Sequence, residues 1–115
     1  MKTAVIGSRG LRVDNLEKYL PPDTTEIVSG GAMGVDTCAR KYAREKGLKL
    51  TEFRPDYALH GRQAPLIRNI QIIDYCDQLF AFWDGRSNGT RFVIRNCRKR
   101  GKPVRVFLLK KTRSD

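Results

Sequence analysis

The sequence is poor in the residues that build metal sites and disulfide frameworks. It has one histidine and three cysteines in 115 residues, and Cys38, Cys76 and Cys97 are far apart and odd in number. A disulfide framework needs paired cysteines, and a zinc site needs clustered cysteine and histidine ligands. We therefore expect three small buried apolar thiols and no metal site, and we assign His60 no role.

Long hydrophobic runs are also missing. No apolar stretch approaches the roughly 20 residues that a membrane-spanning helix needs, and the run Ala4–Ile6 near the N-terminus is too short for a signal peptide. We expect a cytoplasmic protein without membrane contact. A chain of 115 residues is long enough for one hydrophobic core and too short for two, so we expect residues 1–115 to form a single domain.

Acidic residues are scarce relative to basic ones. The chain has 23 lysines and arginines against 12 aspartates and glutamates, a formal net charge of +11. A basic end closes the sequence and contains Arg95, Arg98, Lys99, Arg100, Lys102, Arg105, Lys110, Lys111 and Arg113. It is consistent with a nucleic-acid surface and equally with a solvated helix face and a charged tail, because charge without a groove or stacking aromatics defines no function.

Strand and helix patterns alternate along the chain. Short apolar runs predict five strands, at residues 2–6, 26–28, 48–53, 78–83 and 103–109. Apolar residues at helical spacing predict four helices, at residues 13–20, from 35 to Gly47, at 66–76, and around 93–97 with an end near Gly101. Residues 54–65 have no such periodicity and are predicted to form a loop of the length that often carries function.

This alternation predicts an α/β fold. Strands joined through helices form right-handed crossovers, which give a parallel sheet covered on both faces. We predict a three-layer domain whose five-stranded parallel sheet has the order 3-2-1-4-5. In such sheets ligands bind beyond the carboxyl ends of the strands where the order reverses, here between the first and fourth strands.

Polar, glycine-rich turns follow the three strands that border this position. They are residues 7–10, 29–34 and 84–90. The second has the composition of a phosphate cradle, because glycine lets backbone N–H groups approach an anion and the following helix directs its positive dipole end to the same place. Its spacing is neither G-x-G-x-x-G nor a P-loop. One glycine turn serves equally to reverse the chain, but three at one edge predict a site for a phosphorylated ligand.

The motifs at these turns resemble those of a known family. They are G-S-R at 7–9, S-G-G-A-x-G-V-D at 29–36, R-N at 68–69 and W-D-G-x-S-x-G-T at 83–90. Together they are similar to the YspA-type branch of the SLOG superfamily, which includes cytokinin-activating phosphoribohydrolases and the DNA-uptake protein DprA. The resemblance implies a Rossmann-like fold and a pocket for a nucleotide or nucleotide-derived ligand, without settling which nucleotide.

These motifs also predict which residues contact the ligand. The predicted set is Gly7, Ser8, Arg9, Ser29, Gly30, Gly31, Gly34, Asp36, Arg68, Asn69, Trp83, Asp84, Gly85, Ser87, Gly89 and Thr90. Arg68 is predicted at a helix start, where the dipole disfavours a cation, so a bound anion would explain it. Asp36 either caps the second helix or binds ribose, and Trp83 either stacks on a base or fills the core. Asn69 either contacts the ligand or hydrogen-bonds within its helix.

A carboxylate is missing where the resemblance to the hydrolases implies one. Those enzymes carry P-G-G-x-G-T-x-x-E, whereas Arg, Phe and Val occupy residues 91–93 after Thr90. Cleavage of an N-glycosidic bond develops positive charge on the ribose and needs a carboxylate. Asp84 and Asp36 are the remaining candidates, so the sequence favours binding over catalysis.

Two functions of different classes stay open. The first is a sensor or processing domain that binds a nucleotide-derived ligand, with weak N-glycosidic hydrolysis as its enzymatic variant. The second is a DprA-like protein that binds nucleic acid through the basic end. No cofactor other than a nucleotide-type ligand is indicated, and a homo-oligomer is compatible with either function.

Overall fold

The computed structural model describes residues 1–110, and the apolar runs pair into the predicted parallel sheet, in the order β3-β2-β1-β4-β5. The strands are β1 (Lys2–Gly7), β2 (Glu26–Ser29), β3 (Lys49–Glu52), β4 (Gln78–Trp83) and β5 (Val104–Leu108). The helices are α1 (Val35–Lys46), α2 (Tyr57–His60), α3 (Ala64–Tyr75) and α4 (Asn88–Lys99), with 3₁₀ turns at Leu16–Lys18 and Gly61–Gln63.

The register of the central strands fixes where a ligand site can form. β1 pairs in parallel with both neighbours, so that Thr3 lies opposite Ile27 of β2 and opposite Gln78 of β4. At the carboxyl end Gly7 pairs with Phe82, and the chain then leaves β1 and β4 at the same edge. The strand order reverses at this pair, which opens a crevice between the two departing segments.

Helices cover both faces of the sheet. On one face Ile72 and Ile73 of α3 and Val93 of α4 are buried against β1 and β4. On the other face Val35 and Ala39 of α1 are buried with side chains of residues 11–20 and of β4. Such burial on both faces explains why β1 and β4 are almost continuously apolar.

The predicted helix at residues 13–20 was wrong. The structure has a 3₁₀ turn at Leu16–Lys18 within otherwise irregular chain. Val13, Leu16 and Leu20 are buried, as their spacing indicated. A segment that ends at Pro21 offers about two helical turns, which is too short for a stable α-helix without an N-cap, and Asn15 makes no side-chain cap.

The predicted loop at residues 54–65 was also wrong in part. Asp56 accepts a hydrogen bond from the Leu59 N–H (3.1 Å) and starts α2, which leads through the 3₁₀ turn at Gly61–Gln63 into α3. Arg68 is therefore in the second turn of α3, one turn later than predicted. None of the helices in the described part of the chain is long and apolar enough to span a bilayer.

Candidate functional site

A cavity of about 610 Å³ opens at the carboxyl edge of the sheet. We call it the crevice. Four segments line it: the turns after β1 and β2, the first half of α3, and the turn from β4 into α4. Most of the predicted site residues meet here, namely Gly7, Ser8, Arg9, Gly30, Asp36, Arg68, Asn69, Asp84, Ser87, Gly89 and Thr90.

The other predicted site residues lie outside the lining of the crevice, and they are Ser29, Gly31, Gly34, Trp83 and Gly85. Trp83 packs partly buried against the core. Its indole N–H donates to the Ser87 carbonyl oxygen (3.0 Å), and the Arg91 guanidinium lies 5.5 Å from its ring centroid. This position corresponds to the alternative in which Trp83 fills the core.

The turn after β2, residues 29–34, is closed by the protein's own side chains. The Gly31 N–H donates to Ser29 Oγ (3.2 Å), and the Ala32 N–H donates to Asp36 Oδ2 (3.0 Å). Two amides of the predicted phosphate cradle therefore already have acceptors. Gly34 is the N-cap of α1, and the Asp36 carboxylate folds back onto the turn that precedes it.

The glycines of this turn let parts of the protein approach one another. Gly34 has φ +74, and a Cβ there would lie 2.5 Å from the Arg9 carbonyl oxygen. At Gly30 a Cβ would lie 2.6 Å from Arg68 Nη1. The first contact is with backbone, which cannot move aside as a flexible side chain can, so Gly34 is required for packing against the turn after β1.

Arg68 brings a half-buried positive charge to the crevice. Its Nη1 donates to the Gly30 carbonyl oxygen (2.9 Å) and its Nε donates to Asn69 Oδ1 (2.8 Å). No carboxylate of residues 1–110 lies within 4.0 Å of this guanidinium. Burial lowers the pKa of Arg68. Asp36 and Tyr57 oppose this lowering, and the charge of Arg9 adds to it. By accepting the hydrogen bond from Nε, Asn69 orients Arg68, its neighbour in the R-N motif.

Asp36 lies beside Arg68 in the crevice, since one Cβ added at Gly30 would lie within 3.1 Å of both side chains, and it is also buried, with 8% of its surface exposed. Burial raises the pKa of Asp36, and the hydrogen bond from Ala32 and the charge of Arg68 oppose the change. The α1 side of the crevice therefore carries an acceptor carboxylate. This carboxylate would repel a second negative charge brought close to it.

The turn from β4 into α4 is also held by hydrogen bonds from its backbone to side chains. Asp84 Oδ1 accepts the N–H groups of Arg86 and Ser87 (both 2.8 Å), and Ser8 Oγ accepts the Asp84 N–H (3.2 Å). Ser87 Oγ caps α4 by accepting the Thr90 N–H (3.5 Å). The loop is therefore held by its own Asp84 and Ser87 and by Ser8 of the turn after β1, and the first turn of α4 faces the crevice.

Gly89 lies in that first turn and has free space in front of it. A Cβ at Gly89 would meet no atom within 4 Å. The first N–H groups of a helix have no partner within the helix and carry its positive dipole end. The structure thus places an open, electropositive backbone surface on the α4 side of the crevice.

Sequence reasoning missed three residues around the crevice. Arg86 lines it, and Tyr57 lies near enough to Arg68 to affect its pKa. Arg54 leans over the turn after β2, where its Nη1 lies 3.5 Å from the Gly31 carbonyl oxygen. Arg54 could have been found from its position just after β3, since ligands bind beyond the carboxyl ends of the strands and β3 is one of them.

Two residues of the basic end serve the fold. Arg100 pairs with Asp74 (3.1 Å), and Lys102 Nζ donates to the Cys76 carbonyl oxygen (2.6 Å) just past the end of α3. The remaining described members are exposed, namely Arg95, Arg98, Lys99, Arg105 and Lys110. Lys111 and Arg113 lie outside the described residues.

The cysteines differ in accessibility. Cys76 and Cys97 are buried as expected, whereas Cys38 is partly exposed, so the expectation of three buried thiols was wrong for Cys38. Among residues 1–110 no group of three or more His, Cys, Asp or Glu side chains is placed to hold a metal ion.

Comparisons with known proteins point to one family. A family model described as "YspA, cpYpsA-related SLOG family" matches residues 11–60, which include the turn after β2 and α1. The chain is 37% identical over 97 residues to the Gene 61 protein of Mycobacterium phage D29, and the alignment covers 79% of this chain and 78% of that protein. No solved structure matches the chain significantly.

Proposed function

This chain belongs to the YspA, cpYpsA-related SLOG family, and from that premise we propose that its crevice binds the phosphate of a nucleotide or nucleotide-derived ligand, as a sensor or processing domain. The observation that carries the proposal is Arg68. It is a half-buried cation in a cavity of about 610 Å³, and no carboxylate of residues 1–110 lies within 4.0 Å of it. A bound anion would complete its coordination.

Further cations support an anionic ligand. Arg9 and Arg86 line the same crevice, and Arg9 is near enough to lower the pKa of Arg68. Like charges that face one cavity repel each other until an anion lies between them. A phosphate group there would turn this repulsion into attraction.

The two helix ends are proposed to contact different parts of the ligand. Phosphate binds at the first turn of α4, where Gly89 leaves room and the helix dipole is favourable. The α1 side carries the buried Asp36 carboxylate, which disfavours phosphate and suits the hydroxyl groups of a ribose. A nucleotide would therefore lie in the crevice with its phosphate between Arg68 and the first turn of α4 and its ribose hydroxyl groups at Asp36.

We test this with a binding panel. The panel contains AMP, GMP, UMP, ADP, NAD and ADP-ribose, measured by thermal shift and calorimetry on the whole chain. Arg68→Ala should weaken the best-bound nucleotide by about 1.5–3 kcal/mol, the range for a charge-assisted hydrogen bond. Arg98→Ala, at an exposed position of α4, is the matched control and should bind normally. An unchanged dissociation constant in Arg68→Ala would contradict the assignment.

Hydrolysis of the N-glycosidic bond is not part of the proposal. Both candidate carboxylates accept backbone N–H groups that shape the site, Asp84 from Arg86 and Ser87 and Asp36 from Ala32. We expect no free base when the protein is incubated with AMP and the mixture is separated by chromatography. Robust release of adenine that Asp84→Asn abolishes would contradict this and make Asp84 catalytic.

The exposed arginines and lysine of α4 support a second function, the binding of nucleic acid. Arg95, Arg98 and Lys99 lie on one exposed part of that helix, where they can neutralise phosphates. Replacing all three by glutamine should lower the affinity for a DNA oligonucleotide and the steepness of its salt dependence, while AMP binding stays the same. Loss of both activities together would indicate one shared site.

A further inference from the structure

A second cavity of about 490 Å³ lies beside the crevice, between α1 and the segment that follows β1. Leu11, Val13 and Leu16 form an apolar floor, and Cys38 and Tyr42 of α1 form the facing wall. Lysine and threonine side chains of α1 stand at the rim. The combination of an apolar floor and a polar rim suits a ring-bearing group with polar edges.

The two cavities adjoin at the turn after β1. Arg9 and Gly10 line both of them, and Gly34 packs directly behind the Arg9 carbonyl. The packed backbone of Arg9, Gly10 and Gly34 therefore separates the cavities, and Arg9 borders both of them. A ligand that extends from one cavity to the other would pass over this backbone, where Arg9 supplies a positive charge.

We infer that crevice and second cavity together bind a dinucleotide, two ring-bearing halves joined by a pyrophosphate. One half lies in the crevice, the pyrophosphate passes between the first turn of α4 and Arg9, and the second ring rests on the apolar floor. This inference rests on the proposed function and narrows its ligand class, since a mononucleotide would fill the crevice and leave the second cavity empty.

An exposed methionine supports the second subsite. Met33 lines the second cavity with 76% of its surface exposed. A large apolar side chain left in water lacks the favourable free energy of burial, and a flexible thioether adapts readily to the face or edge of a ring. Met33 is thus placed to cover the second ring once it is bound.

Cys38 provides a direct report on occupancy. It lines the second cavity and is partly exposed, whereas Cys76 and Cys97 are buried. Burial also raises the pKa of Cys76 to about 11 and raises that of Cys97. Thiolates are the reactive form, so iodoacetamide should modify Cys38 first, and a ligand in the second cavity should slow that reaction.

The experiment compares dinucleotides with mononucleotides. NAD, FAD and diadenosine diphosphate are tested against AMP and ADP by calorimetry and by protection of Cys38 from iodoacetamide. At least one dinucleotide should bind about tenfold more tightly than AMP and should slow alkylation at least fivefold, while AMP at saturation should not. Mass spectrometry of the digested chain identifies the modified cysteine.

A cavity-filling variant sharpens the test. Thr37 is exposed and lines the second cavity, so Thr37→Trp should weaken dinucleotide binding at least tenfold and leave AMP binding unchanged. Arg44→Trp places the same side chain at an exposed position of α1 outside that cavity and should bind both normally. If Thr37→Trp unfolds, protection of Cys38 in the unaltered chain still decides the matter.

The outcomes separate the two levels of the proposal. Mononucleotides that bind as tightly as dinucleotides, with Cys38 unprotected, would overturn the second subsite and leave the nucleotide crevice in place. Failure of every nucleotide to bind would overturn both. Protection of Cys38 by AMP alone would place the mononucleotide in the second cavity and overturn the division of the ligand proposed here.

Discussion

The two glycine-rich turns that lead into α1 and α4 look alike in sequence and do different physical work. In the turn before α1, the amides of Gly31 and Ala32 donate to Ser29 and Asp36, and Gly34 packs against a neighbouring backbone. In the turn before α4, the amides of Arg86 and Ser87 likewise donate to a side chain, Asp84, but Gly89 faces open space.

The difference shows that glycine before a helix has two separate uses. It lets two parts of the protein approach each other, or it lets a ligand approach the protein. Composition does not distinguish these uses. What distinguishes them is the atom that a Cβ would meet, which is a carbonyl oxygen at Gly34 and nothing within 4 Å at Gly89.

The largest expected effect tests the role of Gly34 in packing. Gly34→Ala should destabilise the fold by about 3 kcal/mol or more, because alanine disfavours positive φ and its methyl group would clash with backbone. Urea unfolding followed by circular dichroism measures the change. Gly61→Ala is the matched control, since Gly61 has nearly the same backbone conformation as Gly34 (φ +57 and ψ −132, against φ +74 and ψ −122) and its Cβ would meet nothing within 4 Å.

Gly61→Ala should cost about 1–3 kcal/mol, the strain of this backbone conformation without a clash. The difference between the two variants then isolates the contact with the Arg9 carbonyl. Equal destabilisation in both would show that Gly34 is needed for its backbone conformation and not for packing.

The second prediction tests whether the ligand approaches the protein at Gly89. Gly89→Asp should lower AMP affinity at least tenfold, because it adds negative charge where phosphate is proposed to bind. The same change should leave the fold intact or stabilise it by about 0.3–1 kcal/mol, since an acidic side chain favours a helix N-terminus. Gly89→Asn has nearly the same shape without the charge and should lose much less affinity. Normal AMP binding by Gly89→Asp would place the phosphate elsewhere.

The smallest effect sharpens the description of the turn before α1. Burial raises the pKa of Asp36 above its ordinary value, so the folded chain holds this proton more tightly than the unfolded chain. The stability gained is present at low pH and is lost as pH rises through the pKa of the folded state. Asp36→Asn cannot ionise. Its stability relative to the unaltered chain should therefore be higher at pH 7 than at pH 3.5.

Melting temperatures across that pH range measure the difference, with Asp23→Asn at an exposed position as control. An advantage of Asp36→Asn that grows as pH falls would mean that the buried carboxylate is stabilised in its charged form.

Much of the fold follows from the sequence because its central strands are buried on both sides. β1 and β4 form continuous apolar runs, and each is followed by a glycine or a turn, so their place and order were predictable. The segment at residues 13–20 was not predictable as a 3₁₀ turn, since its apolar spacing fits a helix and only the limited length before Pro21 opposes one.

The site was predictable in location and less so in detail. The meeting of the turns after β1, β2 and β4 follows from topology, but the hydrogen bonds within them do not. That Asp36 accepts the Ala32 N–H, or that Arg68 reaches the Gly30 carbonyl, depends on how α1 and α3 are oriented. Arg54 was missed because it follows β3 without a glycine motif, although the end of that strand lies at the same edge of the sheet.

The most direct test of the account is a titration of the ¹⁵N-labelled chain with AMP, followed by two-dimensional NMR. If phosphate binds at α4, the amide signals of Asn88 and Gly89 should shift most. Those of Gly31, Ala32 and Thr90 should move less, because these N–H groups already donate to acceptors within the protein. The largest shifts at Gly31 and Ala32, with the first turn of α4 unaffected, would contradict the account and assign the phosphate to the turn before α1.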